Sequence, residues 1–405
     1  MQESWTTITT AVRVQARLDY ARQLCLVHRV KYVITYLLSR IWYLAQILPP
    51  PARHVQQIMT ACTWFIWRGA IFRVPATTLK RPTAEGGWAL PDVAVKCRAL
   101  LLDRMRTLTA DKSSVTAALL HLWDLADVVD NPPNVGGLPR TLAHVRHYAL
   151  DMAYIAPTHV NEPRHKFRRR IYETIRSMHS NVARSEGMRI VRQYPQVNWQ
   201  RLWANLHTAD ISDEQKSIWF TVIHDLIPTK HRISTIHLAD TSRCNSCRDE
   251  DTLQHRLTQC GVSKMIWCWT RERIAEITDT TPLDVPEEWV MRPDFHLRLP
   301  QSHKAVVWWL AQFVTYQIRG QRRISFTDYM DFMRRARWKA HHARPNRQPF
   351  QRNFVSLHLW HWPLRTRPLK PEQTLPSSRP WMRVPDCFPV QYISYLHSHR
   401  HTPGE

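Results

Sequence analysis

Apolar residues recur at three- and four-residue steps through most of this chain, the spacing of one face of an α-helix. In the first fifty residues, Leu24, Val27, Lys31, Ile34, Leu38, Ile41, Tyr43, Leu44 and Ile47 approximate that period, Lys31 being the one charged member. One or two helices are expected there, ending at Pro49-Pro50-Pro51. Val55, Ile58, Met59, Cys62, Phe65 and Ile66 predict a second apolar face, with Gly69 as its C-terminal stop. Gly86-Gly87 marks a turn, and Asp92 is placed to cap a helix carrying Val93, Val95, Leu100 and Leu101. Residues 197–233 read as two helices. The second is expected to be capped by Asp213, to carry Ile218, Trp219, Val222 and Ile223, and to end near Pro228. The segments SKMIWCWTRERIAEI and HKAVVWWLAQFVTYQIRGQRR are expected to be helical too, the latter with Val306, Leu310, Phe313 and Val314 on one face. The fold class is therefore mostly α.

Breaks in the pattern divide the chain. Residues 128–140 (VVDNPPNVGGLPR) are turn-rich. From about Ala343 the chain becomes proline-rich and basic, with thirteen Lys or Arg against three Asp or Glu from Arg334 onward, which reads as a weakly ordered tail. The expected organisation is a helical region at 1–127, a basic linker with helices at 128–198, a second helical region at 199–342, and the tail at 343–405.

Composition sharpens this. Fifty-six Lys and Arg against 33 Asp and Glu leave a formal net charge of +23, which points to a polyanionic partner, nucleic acid first. Arg164, Lys166, Arg168, Arg169, Arg170 and Arg176 concentrate that charge and are the candidate phosphate contacts; a solvated helix face is the plainer alternative. Trp64, Trp67, Trp219, Trp308 and Trp309 could stack on bases, but their helical spacing suits core positions better. The stretch 32–48 is apolar, yet Arg40 sits at its middle, and a central Arg costs about 2.5–3.5 kcal/mol in a bilayer. Residues 306–314 are too few to span one. No membrane partner is expected. Nine glycines leave no phosphate-binding loop and favour helices over tight turns.

The sharpest chemical signal is Cys244, Cys247, His255 and Cys260, spaced Cys-x2-Cys-x7-His-x4-Cys. Three thiols and an imidazole within seventeen positions suit one structural Zn2+ held tetrahedrally, with no position left for water. A tight turn should aim Cys244 and Cys247 at one ion. Thr252 should cap a helix that carries His255 in its first turn, with Cys260 just past its end. The alternative is a set of free cysteines beside an unrelated histidine. The other cysteines are scattered and no secretory signal opens the chain, so an intracellular, reducing compartment, nuclear or cytoplasmic, is expected.

The order of these elements resembles the C-terminal part of the reverse transcriptase of non-LTR (LINE-type) retrotransposons. The resemblance runs from about residue 20 to about 340. It is carried by LCLVHRVKYVITYLLSRIWYLAQILPPP, by Trp64-Phe65-Ile66-Trp67-Arg68-Gly69, by Glu85 to Asp92, by Trp219 through Ile227-Pro228-Thr229 and Arg232, and by the Cys-Cys-His-Cys set. It implies a thumb-like helical bundle, then a small zinc-stapled module at about 200–265. It also implies a role in holding template RNA or an RNA–DNA junction, with an upstream polymerase region as a further partner. The adjacent catalytic aspartates that a polymerase palm needs are missing: the chain has no Asp-Asp pair. Met1 falls where such a palm should already have ended, so the expectation is a fragment that does not polymerise alone.

Other readings stay open. A restriction-like endonuclease needs Pro-Asp followed by a spaced acid and a Lys; Pro293-Asp294 is followed by no acid in range, and Lys304 stands alone. A domesticated protein-interaction module, or a decayed element fragment without selected function, would carry the same residues.

Overall fold

A computed structural model describes residues 2–110, 163–184, 189–208, 210–319 and 325–342. The expected turn-rich break at 128–140 and the proline-rich tail lie outside them. The chain divides into two compact units, Met1–Thr315 and Tyr316–Glu405. The described residues are mostly helical and form no strand, only an isolated antiparallel bridge.

In the first unit, α1 (Gln2–Leu18) buries Trp5, Thr9, Val12 and Ala16 at three- and four-residue steps, and packs on α4 (Ala52–Trp67). Thr9 Oγ1 meets the buried His54 Nδ1 at 3.0 Å across that contact. The stretch from 26 to 45 is one helical path in three pieces: α2 (Leu26–Tyr32), a π-turn (Val33–Leu37) and α3 (Ser39–Ala45). The wider π-turn rotates the register, and the buried row becomes Val27, Val30, Val33, Leu37, Leu38, Ile41 and Ala45. Three residues of the expected face, Lys31, Tyr43 and Ile47, are exposed instead. Among the described residues no helix is long and apolar enough to cross a membrane.

α4 ends at Trp67, and Gly69 stands just past its C-cap as the expected stop. Arg68 takes the left-handed C-cap conformation at φ 50°, and Gly69 follows at φ 69°. After α5 (Ala76–Lys80) comes the Gly86-Gly87 turn, whose glycines are demanded by two close approaches. A Cβ on Gly86 (φ 81°) would lie 2.4 Å from the Trp203 ring, and one on Gly87 would lie 2.0 Å from the Arg81 carbonyl oxygen. The second obstacle is backbone and cannot swing away. Gly87→Ala is therefore expected to destabilise the first unit by roughly 2 kcal/mol or more, measured by urea unfolding. An unchanged midpoint would mean the turn is not held as described.

Asp92 caps α6 (Val93–Ala110) as expected, its Oδ1 accepting from the Ala94 and Val95 N–H groups. α7 (Arg164–Arg184) lies along α6, with Phe167, Ile171 and Ile175 buried against Val95, Ala99 and Leu102. α8 (Arg189–Gln193) and α9 (Trp199–Thr208) follow. The cap of α10 (Asp213–Ile223) is Ser212, not Asp213. Ser212 and Gln215 form a reciprocal capping box, which leaves Asp213 free to bind Lys31 at 2.6 Å. Segments far apart in sequence share this core: Val27 N–H donates to Ser217 Oγ, and Trp88 packs on Phe220 and His207.

That aromatic cluster holds two histidines against protonation. Burial draws His224 down to about 3, partly offset by the Gly86 backbone, and draws His207 down to about 4, helped by Lys216. An unfolded histidine protonates near pH 6.5. Below that pH the unfolded chain binds more protons than the folded one, so stability falls as pH drops from about 6.5 towards 4. The slope is at most about 1.4 kcal/mol per pH unit per histidine. His224→Phe should flatten it in urea titrations at stepped pH; a slope unmoved by this change would place the acid sensitivity elsewhere.

Three of the five tryptophans, Trp67, Trp219 and Trp309, are buried; Trp308 is half-buried, and Trp64 is exposed and stacked on Tyr20 at 4.8 Å. Trp219 Nε1 donates to the Val290 carbonyl, on α13 (Glu288–Met291), at 2.8 Å. The Pro293-Asp294 segment is structural: Asp294 Oδ2 accepts from Asn198 N–H at the start of α9, and Asn205 donates to the Pro293 and Phe295 carbonyls. In the second unit, Tyr316, near the end of the helix Pro300–Arg319, donates to the Ser325 carbonyl at 2.7 Å and packs on Tyr329 of the helix Phe326–His342.

Candidate metal centre

The site is assembled by three local devices downstream of α10. The first is α11 (Lys230–Ser234), capped by the buried Thr229, whose Oγ1 accepts from Arg232 N–H at 3.3 Å. The second is a tight reversal. Cys244 N–H donates to Asp249 O at 2.7 Å, Arg248 N–H returns to Cys244 O at 3.2 Å, and Arg243 bridges Glu250 antiparallel. Arg248 closes the turn at φ 71°, a left-handed conformation unusual for a residue with a Cβ. This reversal turns the Cys244 and Cys247 thiols to the same side.

The third device delivers His255 and Cys260. Thr252 Oγ1 accepts from His255 N–H at 3.1 Å, the N-cap bond expected of it, and puts the histidine in the first turn of a helix. That helix is a π-turn over His255–Gln259, and its widened ring lets Cys260 N–H reach His255 O at 2.8 Å. Cys260 is extended (φ −62°, ψ 140°) and sits between this turn and α12 (Gly261–Thr278). Asp251 holds the devices together from a buried position. Its carboxylate accepts from Lys230 N–H at 2.8 Å and from the Arg256 guanidinium at 2.5 Å.

The result is one cluster of four donors. Cys247 Sγ lies 3.2 Å from His255 Nε2 and 4.0 Å from Cys260 Sγ, and Cys244 Sγ lies 3.9 Å from Cys260 Sγ. All four ligand atoms fall within 4.8 Å of one another. A tetrahedral ion with bonds of about 2.3 Å to sulfur needs sulfurs about 3.8 Å apart, so the observed edges fit a single four-coordinate metal. His255 is buried, and Cys247 is the most exposed of the four.

The thiols compete for negative charge. Burial pushes the Cys244 thiol up, but N–H donors from Cys247 and Ser246, with His255, outweigh it and draw the group down to about 6. Cys260 is pushed up to about 12 by burial and by the neighbouring Cys244. A cation at the centre would relieve that repulsion and deprotonate all three. Cys62 and Cys97 are buried thiols held up to about 12, Cys62 by burial and Cys97 by burial first and then by the nearby Asp92 charge, which sets both apart from a ligand role.

The candidate phosphate contacts are dispersed around α7. Lys166 and Arg169 are exposed. Arg168 is committed to the buried Asp103 at 2.6 Å, Arg176 pairs with Glu173 at 2.9 Å, and Arg170 lies over the Phe167 ring at 5.4 Å. Arg164 is the first residue of the helix, and its side chain lies outside the described atoms. Sequence reasoning missed Lys96 and Tyr172, which the α6–α7 packing brings beside this face. Asp251 is the last of three consecutive acids, Asp249 to Asp251, that lead into Thr252, and nothing in that run marks it as the one that anchors the site.

Fold and site define a mostly helical protein with a candidate Cys3His metal centre. No protein-family model and no curated protein matches this chain.

Proposed function

We propose that this chain is a zinc-stapled nucleic-acid-binding protein, similar in role to the C-terminal part of a non-LTR retrotransposon reverse transcriptase. The observation that carries the reading is the convergence of Cys244, Cys247, His255 and Cys260 on one tetrahedral set of donors. Three thiolates and an imidazole suit zinc above other divalent ions, and a set complete in protein ligands builds structure rather than activating water. Support for the partner comes from the net charge of +23 and from the exposed cations of α7. In this reading the helical region and the zinc module position template RNA or an RNA–DNA junction, and polymerisation would need a catalytic region carried elsewhere.

The test is RNA binding across a salt series, with zinc bound and after chelation. Binding is expected to weaken with salt by about 0.7 in logarithmic slope per phosphate contacted, and to weaken further when zinc is removed. A second reading, docking of a protein such as an upstream polymerase region, is favoured by the exposed Val14, Leu18, Tyr36, Tyr43 and Ile47. RNA affinity that vanishes at physiological salt would favour it over the first.

A further inference from the structure

The packing of α7 on α6 leaves an open cleft of about 580 Å3, lined by Lys96, His165, Arg168, Arg169 and Tyr172. Among the described residues, no carboxylate lines it. The acids near by are engaged: Asp103 is held by Arg168 and Asp92 by Lys80, each at 2.6 Å. Lys96 is half-buried, with its Nζ 5.7 Å from the centre of the Tyr172 ring and with no ion-pair partner among the described residues. Burial and the nearby Arg168 both lower its affinity for a proton, the mark of a cation short of an anion.

We propose that this cleft seats a phosphodiester of a nucleic-acid strand, with Lys96 and Arg169 as its principal cationic contacts. The inference rests on the nucleic-acid reading above and gives it an address. Three basic side chains, a histidine and a phenol facing one space supply charge and hydrogen-bond donors for a phosphate. The cleft is also large enough for a nucleotide unit. Arg168 serves here as a fixed neighbour, since Asp103 already occupies its guanidinium. Lys96 lies some seventy residues before the basic run on α7, so only the packing of the two helices makes the site.

The experiment is binding of a fluorescein-labelled 20-nucleotide oligo(U) RNA across a salt series, using the full chain and the variants Lys96→Gln and Arg169→Gln. Arg169 is exposed and its replacement leaves the core intact, so it answers even if the Lys96 variant folds poorly. Each variant is expected to lose about tenfold in affinity and about 0.7 in salt slope. If the parent chain binds RNA and both variants match it in affinity and slope, the cleft assignment is overturned while the nucleic-acid reading stands. If the parent chain binds no RNA at any salt, both fall. A parallel titration with orthophosphate separates a strand from a free anion. Orthophosphate binding that depends on Lys96, with RNA affinity unmoved, also overturns the assignment.

Discussion

Cys244→Ser is expected to unravel the segment from Thr229 to Cys260 and to abolish stoichiometric metal binding. The reason is the scarcity of other support in that stretch. Ile236 and Leu238 are exposed, α11 is five residues long, and the reversal that carries Cys244 and Cys247 is held by a handful of backbone bonds and the Asp251 anchor. For small modules of this kind, ligation free energy is folding free energy, on the order of 10 kcal/mol or more for structural zinc. Loss of one ligand from four leaves the others unable to close the site. Amide hydrogen exchange should rise sharply across residues 229–260 while α1 and α4 stay protected, and a chelator added to the parent chain should reproduce the pattern. Unchanged protection together with unchanged zinc content in the serine variant would remove the site assignment. The neighbouring α12 should survive, since Trp267 packs on Phe313 at 5.3 Å independently of the ligands.

Arg168→Ala is expected to cost about 3 kcal/mol of stability in the first unit, because it removes the cation paired with a buried carboxylate. Asp103 is 1% exposed, and its Oδ2 accepts from Arg168 Nε at 2.6 Å at the contact between α6 and α7. Removing one member of such a pair leaves a desolvated charge, whereas replacing both with apolar residues can be nearly neutral. The double change Arg168→Met with Asp103→Leu should therefore recover most of the loss in denaturant unfolding. Recovery would show Arg168 acting first on the fold. If the alanine variant is as stable as the parent, the pair contributes nothing, and Arg168 returns to the set of phosphate contacts. The same logic explains why the RNA-binding test uses Lys96 and Arg169: a loss of binding in an Arg168 variant would mix folding with contact.

The candidate metal ligands were legible because their geometry is local. Seventeen residues contain all four donors, and the Thr252 cap that orients His255 is a three-residue motif. The helix starts were legible where a single side chain makes the cap, as at Asp92, and misplaced by one where a reciprocal pair competes, as at Ser212 with Gln215. The face of the 26–45 stretch was read only in part, because a π-turn shifts the register and no side chain announces it. The glycine pair at 86–87 was legible as a turn. Its true constraint comes from Trp203 and the Arg81 carbonyl, which sequence does not place there.

By itself the sequence determined the mostly helical class, a set of four donors that could hold a metal ion and the strongly basic balance, since periodicity, short-range spacing and charge are properties of neighbours along the chain. Tertiary structure alone decided which cations remain for a partner. Arg168 and Lys96 look alike as basic residues, yet one meets a buried carboxylate and the other an open cleft. That distinction arises from the packing of α6 against α7, between residues some seventy positions apart, where burial rather than residue type sets whether a charge is already paired.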